Sequence, residues 1–183
     1  MAGNRAGSGQ VAFSRFGGQD SFWIAEPKQL VSYLSNMSFT KLFDINFSYI
    51  IFNHFFTGYK LQINFASCYK FHRALRTWFQ AYVTCHEEGG ELAVINSAEE
   101  AQMLQTMFKE NLSPDQAIVG LRTKAGEWVT VDEEPLSVSG YDSWSPGEPN
   151  NKNGESCGFM LRSGMLNDDP CDKLAPSICE ITL

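Results

Sequence analysis

Residues 144–171 read WSPGEPNNKNGESCGFMLRSGMLNDDPC, and this stretch decides how the chain is interpreted. Five of its side chains carry oxygen atoms that can bind a cation: Glu148, Asn150, Glu155, Asn167 and Asp168. Protein-bound Ca²⁺ takes about six to eight oxygen ligands, so five side chains leave room for a backbone carbonyl and two outside oxygens. A calcium site is therefore one interpretation of the stretch. On the residues alone an ordinary solvated turn is favoured over it, since Asn, Pro and Gly are typical turn residues.

Pro149 has a mechanical role in the calcium interpretation. A cis peptide bond is cheap only before proline, where it costs about 0.5–1 kcal/mol. A cis bond between Glu148 and Pro149 would direct both flanking carbonyl groups to one side of the loop. We therefore predict a cis bond at this position.

The first of two predicted helices covers residues 77–88. Thr77 is a suitable N-cap residue, and Gly89 and Gly90 end the helix. Apolar residues recur at helical spacing and form one stripe: Trp78, Ala81, Tyr82 and Cys85.

The second predicted helix runs from Ala98 to about Glu110. Ser97 and Glu100 match a capping box, in which Glu100 bonds back to the N-cap residue. Short apolar runs predict strands at 91–96, 118–121, 127–131, 157–161 and 177–181. Residues 132–156 predict a long loop, and a loop of this length inside a compact domain is usually functional. Two helices followed by short strands around a long loop indicate an α+β fold.

From Cys68 to Glu180 the chain resembles the C-type lectin domain family. The resemblance rests on an ordered set of landmarks: Trp78, Cys85, Gly90-Glu91-Leu92-Ala93, Ile118-Val119-Gly120-Leu121, Trp144, Glu148-Pro149-Asn150, Cys157, Asn167-Asp168, Cys171 and Cys179. Residues 144–150 and 166–171 are similar to insect secreted lectins of the haemolymph lipopolysaccharide-binding type. The resemblance implies a domain of two helices, small antiparallel sheets and a long calcium-binding loop, with an irregular N-terminal extension.

The resemblance also implies the site. The same five residues would bind both the calcium ion and the sugar: Glu148, Asn150, Glu155, Asn167 and Asp168. The order Glu-Pro-Asn goes with mannose-like or glucose-like sugars in this family, and the swapped order Gln-Pro-Asp goes with galactose. A second, auxiliary calcium is not expected, because Arg122 and Lys124 occupy positions where that site needs acidic residues.

Four cysteines match the two disulfides of the family, which the resemblance pairs as Cys85–Cys179 and Cys157–Cys171. Disulfides indicate an oxidising compartment, so we expect a secreted protein, although no secretory signal is recognisable after Met1. The fifth cysteine, Cys68, lacks its usual upstream partner. It is either a buried free thiol or a bridge to a second chain, and it is the feature that bears on oligomer formation.

The function implied by the resemblance is calcium-dependent binding of mannose-like or glucose-like glycans on microbial surfaces, including lipopolysaccharide, in innate immunity. The alternative is a protein-interaction module that keeps the fold without binding sugar. No enzyme is expected, because the chain has no HExxH, GxSxG, P-loop or GxGxxG motif. The carboxylate pairs Glu133-Glu134 and Asp168-Asp169 are predicted to be solvated loop charges and not catalytic acids.

Charge divides the chain into two regions. The net charge of −7 disfavours a nucleic-acid partner, because phosphate binding needs clustered Lys and Arg. Residues 68–183, the predicted lectin domain, carry nine basic and eighteen acidic residues, whereas residues 1–67, the N-terminal extension, carry five and three.

In the N-terminal extension the apolar stretch Asp44–Tyr59 is too short and too interrupted for a membrane span. We expect it to pack on the following domain, with a membrane-associated or non-native segment as less favoured alternatives.

Overall fold

The computed structural model describes residues 11–14, 21–24, 58–111 and 115–182, in two compact units. In the first unit, strands β1 (Val11–Ser14) and β2 (Ser21–Ile24) form an antiparallel hairpin. The second unit is Tyr59–Thr182, so it begins a few residues before the predicted boundary at Cys68. The predicted packing segment Asp44–Tyr59 lies outside the described residues except for its last two positions.

The second unit is built on one sheet with three helices. Its strands are β3 (Lys60–Gln62), β4 (Ser67–Arg76), β5 (Glu91–Leu92), β6 (Gln116–Lys124), β7 (Glu127–Thr130), β8 (Glu155–Leu161), β9 (Leu166–Pro170) and β10 (Ala175–Thr182). The helices are α1 (Trp78–Glu87), α2 (Ala98–Asn111) and the short α3 (Leu136–Ser139), with 3-10 turns at Ile63–Phe65 and Lys152–Gly154. This mixture confirms the α+β class and both long predicted helices.

Strand β10 occupies the centre of the sheet. The order is β3-β4-β10-β6-β8-β9, with β5 paired to β10 and β7 paired to β6. β10 runs antiparallel to β4 and parallel to β6, and β8 and β9 form an antiparallel pair at the far end. The pair β8–β9 therefore carries Glu155 and Asp168 of the predicted site at an edge of the sheet.

Helix α1 forms as the sequence predicts. Thr77 accepts a hydrogen bond from the Gln80 N–H, and the Gln80 side chain accepts one from the Thr77 N–H, which completes a capping box. Trp78, Ala81 and Cys85 are buried on one stripe. The indole N–H of Trp78 donates to the Val119 carbonyl at 3.0 Å and so ties the helix to β6.

Helix α2 starts with one departure from the predicted capping box. The Glu100 N–H donates to Ser97 Oγ at 3.2 Å as expected, but the Glu100 carboxylate accepts from the Asn96 N–H at 2.8 Å rather than from Ser97. The reason is burial, since Glu100 is fully buried and its other oxygen accepts from the Tyr69 hydroxyl at 2.6 Å. Burial raises the pKa of the Glu100 carboxyl above its usual range.

The hydrophobic core lies between α2 and the sheet. Leu104 and Phe108 of α2 are fully buried with Val119, Met160 and Ile178 of three strands. None of the helices in the described part of the chain is long and apolar enough to cross a membrane.

Candidate calcium and carbohydrate site

The predicted ligands lie on one loop and on the strand pair next to it. The loop between α3 and β8 carries Glu148 and Asn150, and the peptide bond between Glu148 and Pro149 is cis, as predicted. Two backbone hydrogen bonds attach this loop to Leu166 at the start of β9. The Leu166 carbonyl accepts from the Ser145 N–H, and the Leu166 N–H donates to the Ser143 carbonyl, both at 2.8 Å.

Asp168 connects the loop to strand β9. Its side chain is buried, with the residue 1% exposed, and its two oxygens accept from the N–H groups of Asn150 at 3.2 Å and Asn151 at 2.7 Å. Two backbone donors aimed at one carboxylate hold the loop against the strand, because hydrogen bonds to a charged acceptor are the stronger kind. Asp168 therefore positions the loop in addition to being a candidate ligand.

Glu148 and Asn150 contact each other across the proline. The Glu148 carboxylate accepts from the Asn150 N–H at 3.0 Å and also from the Asn150 side-chain amide. The Asn150 side-chain oxygen accepts from the Lys152 N–H at 2.8 Å. The structure therefore brings Glu148, Asn150 and Asp168 together in one hydrogen-bonded group.

The Asp168 carboxyl affects the neighbouring Glu148. The contact with the Asp168 carboxyl, followed by desolvation, raises the pKa of Glu148 above its usual range. A bound cation would have the opposite effect on Glu148, since it stabilises the charged form.

The other two candidate ligands lie on the strand pair, Glu155 on β8 and Asn167 on β9. Glu155 begins β8 and pairs in register with Pro170, and its Oε2 atom is buried with no hydrogen-bond partner among the described residues. Asn167 precedes Asp168, and its amide donates to the Asp168 carbonyl at 2.7 Å and to Asp169 at 3.2 Å. Of the five candidates, four are therefore linked by hydrogen bonds, and Glu155 lies on the strand β8 that pairs with β9.

The model of the family "Lectin C-type domain" matches residues 74–181, which is more than half of the chain. The chain belongs to the C-type lectin domain family. A hemolymph lipopolysaccharide-binding protein of Periplaneta americana is 36% identical over 125 residues, covering 63% of this chain and 49% of that protein. The chain spans about half the length, or less, of the curated relatives that it matches.

Solved structures of the family share the fold. The cow C-type carbohydrate-recognition domain of CD23, determined in the presence of GlcNAc2Man3 oligosaccharide, is 32% identical with a TM-score of 0.59, covering 69% of this chain and 95% of that one. A calcium-independent type II antifreeze protein is 26% identical with a TM-score of 0.58, covering 69% and 92%. C-type lectin domains are carbohydrate-binding and non-enzymatic, which agrees with the prediction that the chain is not an enzyme.

The lectin domain offers a donor set that fits calcium. All five candidate ligands present side-chain oxygen atoms, which is the ligand chemistry that Ca²⁺ prefers. The partnerless buried oxygen of Glu155 is the strongest single sign, because a buried carboxylate oxygen without a partner is costly. Another cluster of metal-ligand types, His72 and Glu88 with Cys179, does not fit a metal, because Cys179 is in a disulfide and Glu88 pairs with Lys70.

Two disulfides support the lectin domain, in the pairing that the resemblance implied. Cys85 of α1 joins Cys179 of β10, and Cys157 of β8 joins Cys171 just after β9. The second bond closes the strand pair that carries Asn167 and Asp168. Cys68 is a free thiol and is fully buried, and burial raises its pKa to about 12.

Asp169 corrects one sequence expectation. The Asp168-Asp169 pair was expected to be solvated loop charge, but both residues are buried in β9, at 1% and 9% exposure. Asp169 accepts from Gln116 at 2.7 Å, from Lys173 at 2.7 Å and from Asn167 at 3.2 Å. It is thus a positioning residue that sequence reasoning missed, and only the pairing of β8 with β9 reveals its burial.

The other pair, Glu133-Glu134, is exposed as expected. Glu133 forms ion pairs with both Arg122 and Lys124. The hydrogen bond from Lys124 is the largest of the effects that lower the pKa of Glu133. Two basic side chains therefore pair with this one carboxylate.

Proposed function

We propose that this domain is a secreted, calcium-dependent lectin of the mannose type. The observation that carries the proposal is the convergence of Glu148, Asn150 and Asp168 at a cis-proline loop, and it is supported by the partnerless buried oxygen of Glu155 at the start of β8. These four residues, with Asn167, would hold Ca²⁺ through side-chain oxygens. The bound ion supplies open coordination positions for two neighbouring sugar hydroxyls.

The same side chains would select the sugar. Carboxylates accept hydrogen bonds from hydroxyl groups and amide groups donate them, so the order of Glu148 and Asn150 fixes which hydroxyl orientation is preferred. In the family this order goes with mannose-like or glucose-like sugars. Relatives named for lipopolysaccharide binding and for a mannose-containing oligosaccharide support glycans of microbial surfaces as the target class and innate recognition as the role.

The secreted location is supported by the two disulfides, since such bonds persist in oxidising compartments. Binding at one monosaccharide site is weak, so useful avidity would need several copies on one surface. The complete burial of Cys68 disfavours it as a bridge to a second chain without local opening of β4.

Exchanging the two residues around the proline tests the sugar assignment. The full-length double variant Glu148→Gln/Asn150→Asp should lose retention on mannose-agarose and gain retention on galactose-agarose, both in calcium. A matched control, Asn151→Asp, changes an exposed neighbour that contributes only its backbone N–H to Asp168. If the double variant keeps its preference for mannose, the assignment of these two side chains is wrong.

The second candidate is a protein-interaction module without sugar binding. It is favoured because the Asn150 amide already has partners within the loop. Its NH₂ group donates to Glu148, and its oxygen accepts from the Lys152 N–H. A calcium-independent relative of the same fold shows that the architecture does not require the ion. A folded wild-type protein that binds neither mannose nor galactose in calcium would favour this candidate.

A further inference from the structure

A buried tyrosine connects two glutamates in the interior of the lectin domain. The Tyr69 hydroxyl lies 2.6 Å from Oε1 of Glu100 and 3.1 Å from Oε1 of Glu180. Tyr69 is 1% exposed and Glu100 is fully buried, whereas Glu180 is partly buried. These three residues, the Tyr69 network, lie on β4, α2 and β10, none of which carries a candidate calcium ligand.

The protons of the Tyr69 network do not suffice if both carboxyl groups are charged. A tyrosine hydroxyl has one proton to donate, and a charged carboxylate can only accept. Burial raises the pKa of Tyr69, so its hydroxyl keeps that proton. A second carboxylate would face only the lone pairs of the tyrosine oxygen, which is costly away from water. The count balances when one carboxyl group is protonated and donates to that oxygen.

The donors around Glu100 favour it as the charged member. Its contact with the Tyr69 hydroxyl is the shorter of the two, and its other oxygen accepts from the Asn96 N–H at 2.8 Å. Glu100 also lies in the first turn of α2, where the helix dipole favours a negative charge. Three features thus stabilise the charged form of this carboxyl group.

Glu180 has weaker donors. The Val94 N–H lies 3.4 Å from its Oε2 atom, which is long for a hydrogen bond to a carboxylate. The Ser67 hydroxyl also forms a hydrogen bond with Glu180, and a hydroxyl group can donate or accept, so it suits either protonation state. Burial is the largest of the effects that raise the pKa of Glu180 above its usual range.

No basic side chain forms an ion pair with Glu180 in the part of the chain that the structure describes. Glu91 lies opposite Glu180 on β5, but its carboxylate contacts His86 instead. The ionisable groups near Glu180 on the surrounding elements are Tyr69 and Cys68 on β4, Glu91 on β5, Asp132 after β7 and Glu100 on α2. All of them are neutral or negative, so the surroundings disfavour a charge on Glu180.

We propose that Glu180 is protonated at about pH 6, where an exposed glutamate is charged, and donates to Tyr69, which donates in turn to the charged Glu100. The Tyr69 network is then a pH-sensitive connection between β10 and α2. When the pH rises far enough to remove the proton, the new charge on Glu180 faces the Tyr69 oxygen and Glu100, and the connection weakens.

The same connection supports the base of the loop between α3 and β8. Glu180 and Glu100 accept from the N–H groups of Val94 and Asn96, so the Tyr69 network holds the segment before α2. Gly140, which follows α3 where the loop begins, packs against this segment, since a Cβ there would lie 2.3 Å from the Asn96 carbonyl oxygen. The proton on Glu180 therefore stabilises the surface on which the loop rests.

Urea unfolding of the full 183-residue chain in EDTA, from about pH 5 to 7, tests the proposal. A glutamate that is protonated in the native state and charged in the unfolded state raises the unfolding equilibrium constant by up to about tenfold per pH unit. In Glu180→Gln the amide still donates to Tyr69 but does not titrate. This variant should match the wild type at about pH 5 and unfold with an equilibrium constant about tenfold smaller than that of the wild type at about pH 7.

Two matched variants assign the proton. Glu100→Gln should unfold at lower urea concentration than the wild type at both pH values, because its one oxygen cannot accept from both Tyr69 and the Asn96 N–H. Glu99→Gln, at the exposed neighbouring position, should follow the wild type throughout. The calcium ligands are identical in all four proteins, so their titration cancels in the comparison. Circular dichroism checks that every variant is folded.

Infrared spectroscopy observes the proton directly. At about pH 6 the wild type and Glu99→Gln should show the carbonyl band of a protonated carboxyl group, and Glu180→Gln should lack it. Absence of this band from the wild type would overturn the proposal, as would parallel pH profiles of the wild type and Glu180→Gln. A pH dependence that Glu100→Gln removes and Glu180→Gln keeps would place the proton on the wrong residue. Because calcium is absent, failure of the lectin proposal leaves these tests unaffected.

Discussion

Asp168 and Glu155 are both candidate calcium ligands, but the structure gives them different roles when calcium is absent. Asp168 is 1% exposed and accepts hydrogen bonds from two backbone N–H groups, those of Asn150 and Asn151. In Asp168→Asn the buried side chain has one oxygen, so one of the two N–H groups faces an NH₂ group and loses its acceptor. Such a loss costs about 1–3 kcal/mol. Removing the like charge beside Glu148 offsets part of it, so we expect a net loss of about 1–2 kcal/mol.

Glu155→Gln is the matched comparison. The buried Oε2 atom of Glu155 has no hydrogen-bond partner among the described residues, so the substitution removes no contact at that atom. We expect the free energy of unfolding in EDTA to stay within about 0.5 kcal/mol of the wild type. The two variants should therefore differ clearly in their free energy of unfolding in EDTA, although both are expected to lose calcium binding.

Urea unfolding followed by tryptophan fluorescence measures both effects. Extracellular calcium modules bind with dissociation constants of about 10⁻⁴–10⁻³ M, so about 10 mM Ca²⁺ should stabilise the wild type by about 1.4–2.7 kcal/mol. Neither variant should show this gain. Equal stability of Asp168→Asn and Glu155→Gln in EDTA would refute the positioning role of Asp168. A full calcium gain in Glu155→Gln would refute its role as a ligand.

Three further predictions concern the scaffold. Burial would raise the pKa of Glu88, but the hydrogen bond from Lys70 and neighbouring positive charge outweigh it and hold the pKa below its usual range. The stabilisation is present above the usual carboxyl pKa and is lost as the pH falls through the lowered one, so the stability difference between wild type and Glu88→Gln should shrink as the pH falls from about 5 to 3 in denaturant titrations. Gly120→Ala should strongly destabilise the domain, because the added Cβ would lie 2.5 Å from the Leu92 carbonyl oxygen; an unchanged melting temperature would contradict this. Cys68 should react with a thiol reagent only after unfolding, given its burial and a pKa of about 12, and rapid labelling of the native protein would show otherwise.

Much of the architecture could be predicted because its signals are local. Thr77 and Gly89 delimit α1 through capping chemistry that involves only near neighbours. The cis bond before Pro149 followed from the calcium interpretation, and proline makes that isomer accessible at this position. The disulfide pairing came from the resemblance, since four cysteines alone allow three pairings.

Other features depend on tertiary contacts that no local pattern reports. Strand β4, Ser67–Arg76, is buried at its start and exposed towards its end, so it lacks the alternation that marks a strand. Glu100 is drawn from its capping role into the core by Tyr69, which is 31 residues away. Asp169 reads as a solvated turn residue until the pairing of β8 with β9 buries it.

The central claim is that calcium links this domain to mannose-type sugars. Its most direct test is chromatography of the full-length protein on mannan-agarose in about millimolar Ca²⁺, with galactose-agarose in parallel. We predict retention on mannan, release by EDTA and no retention on galactose. Flow-through on both columns by protein that is shown to be folded, or retention that EDTA does not reverse, would contradict the claim.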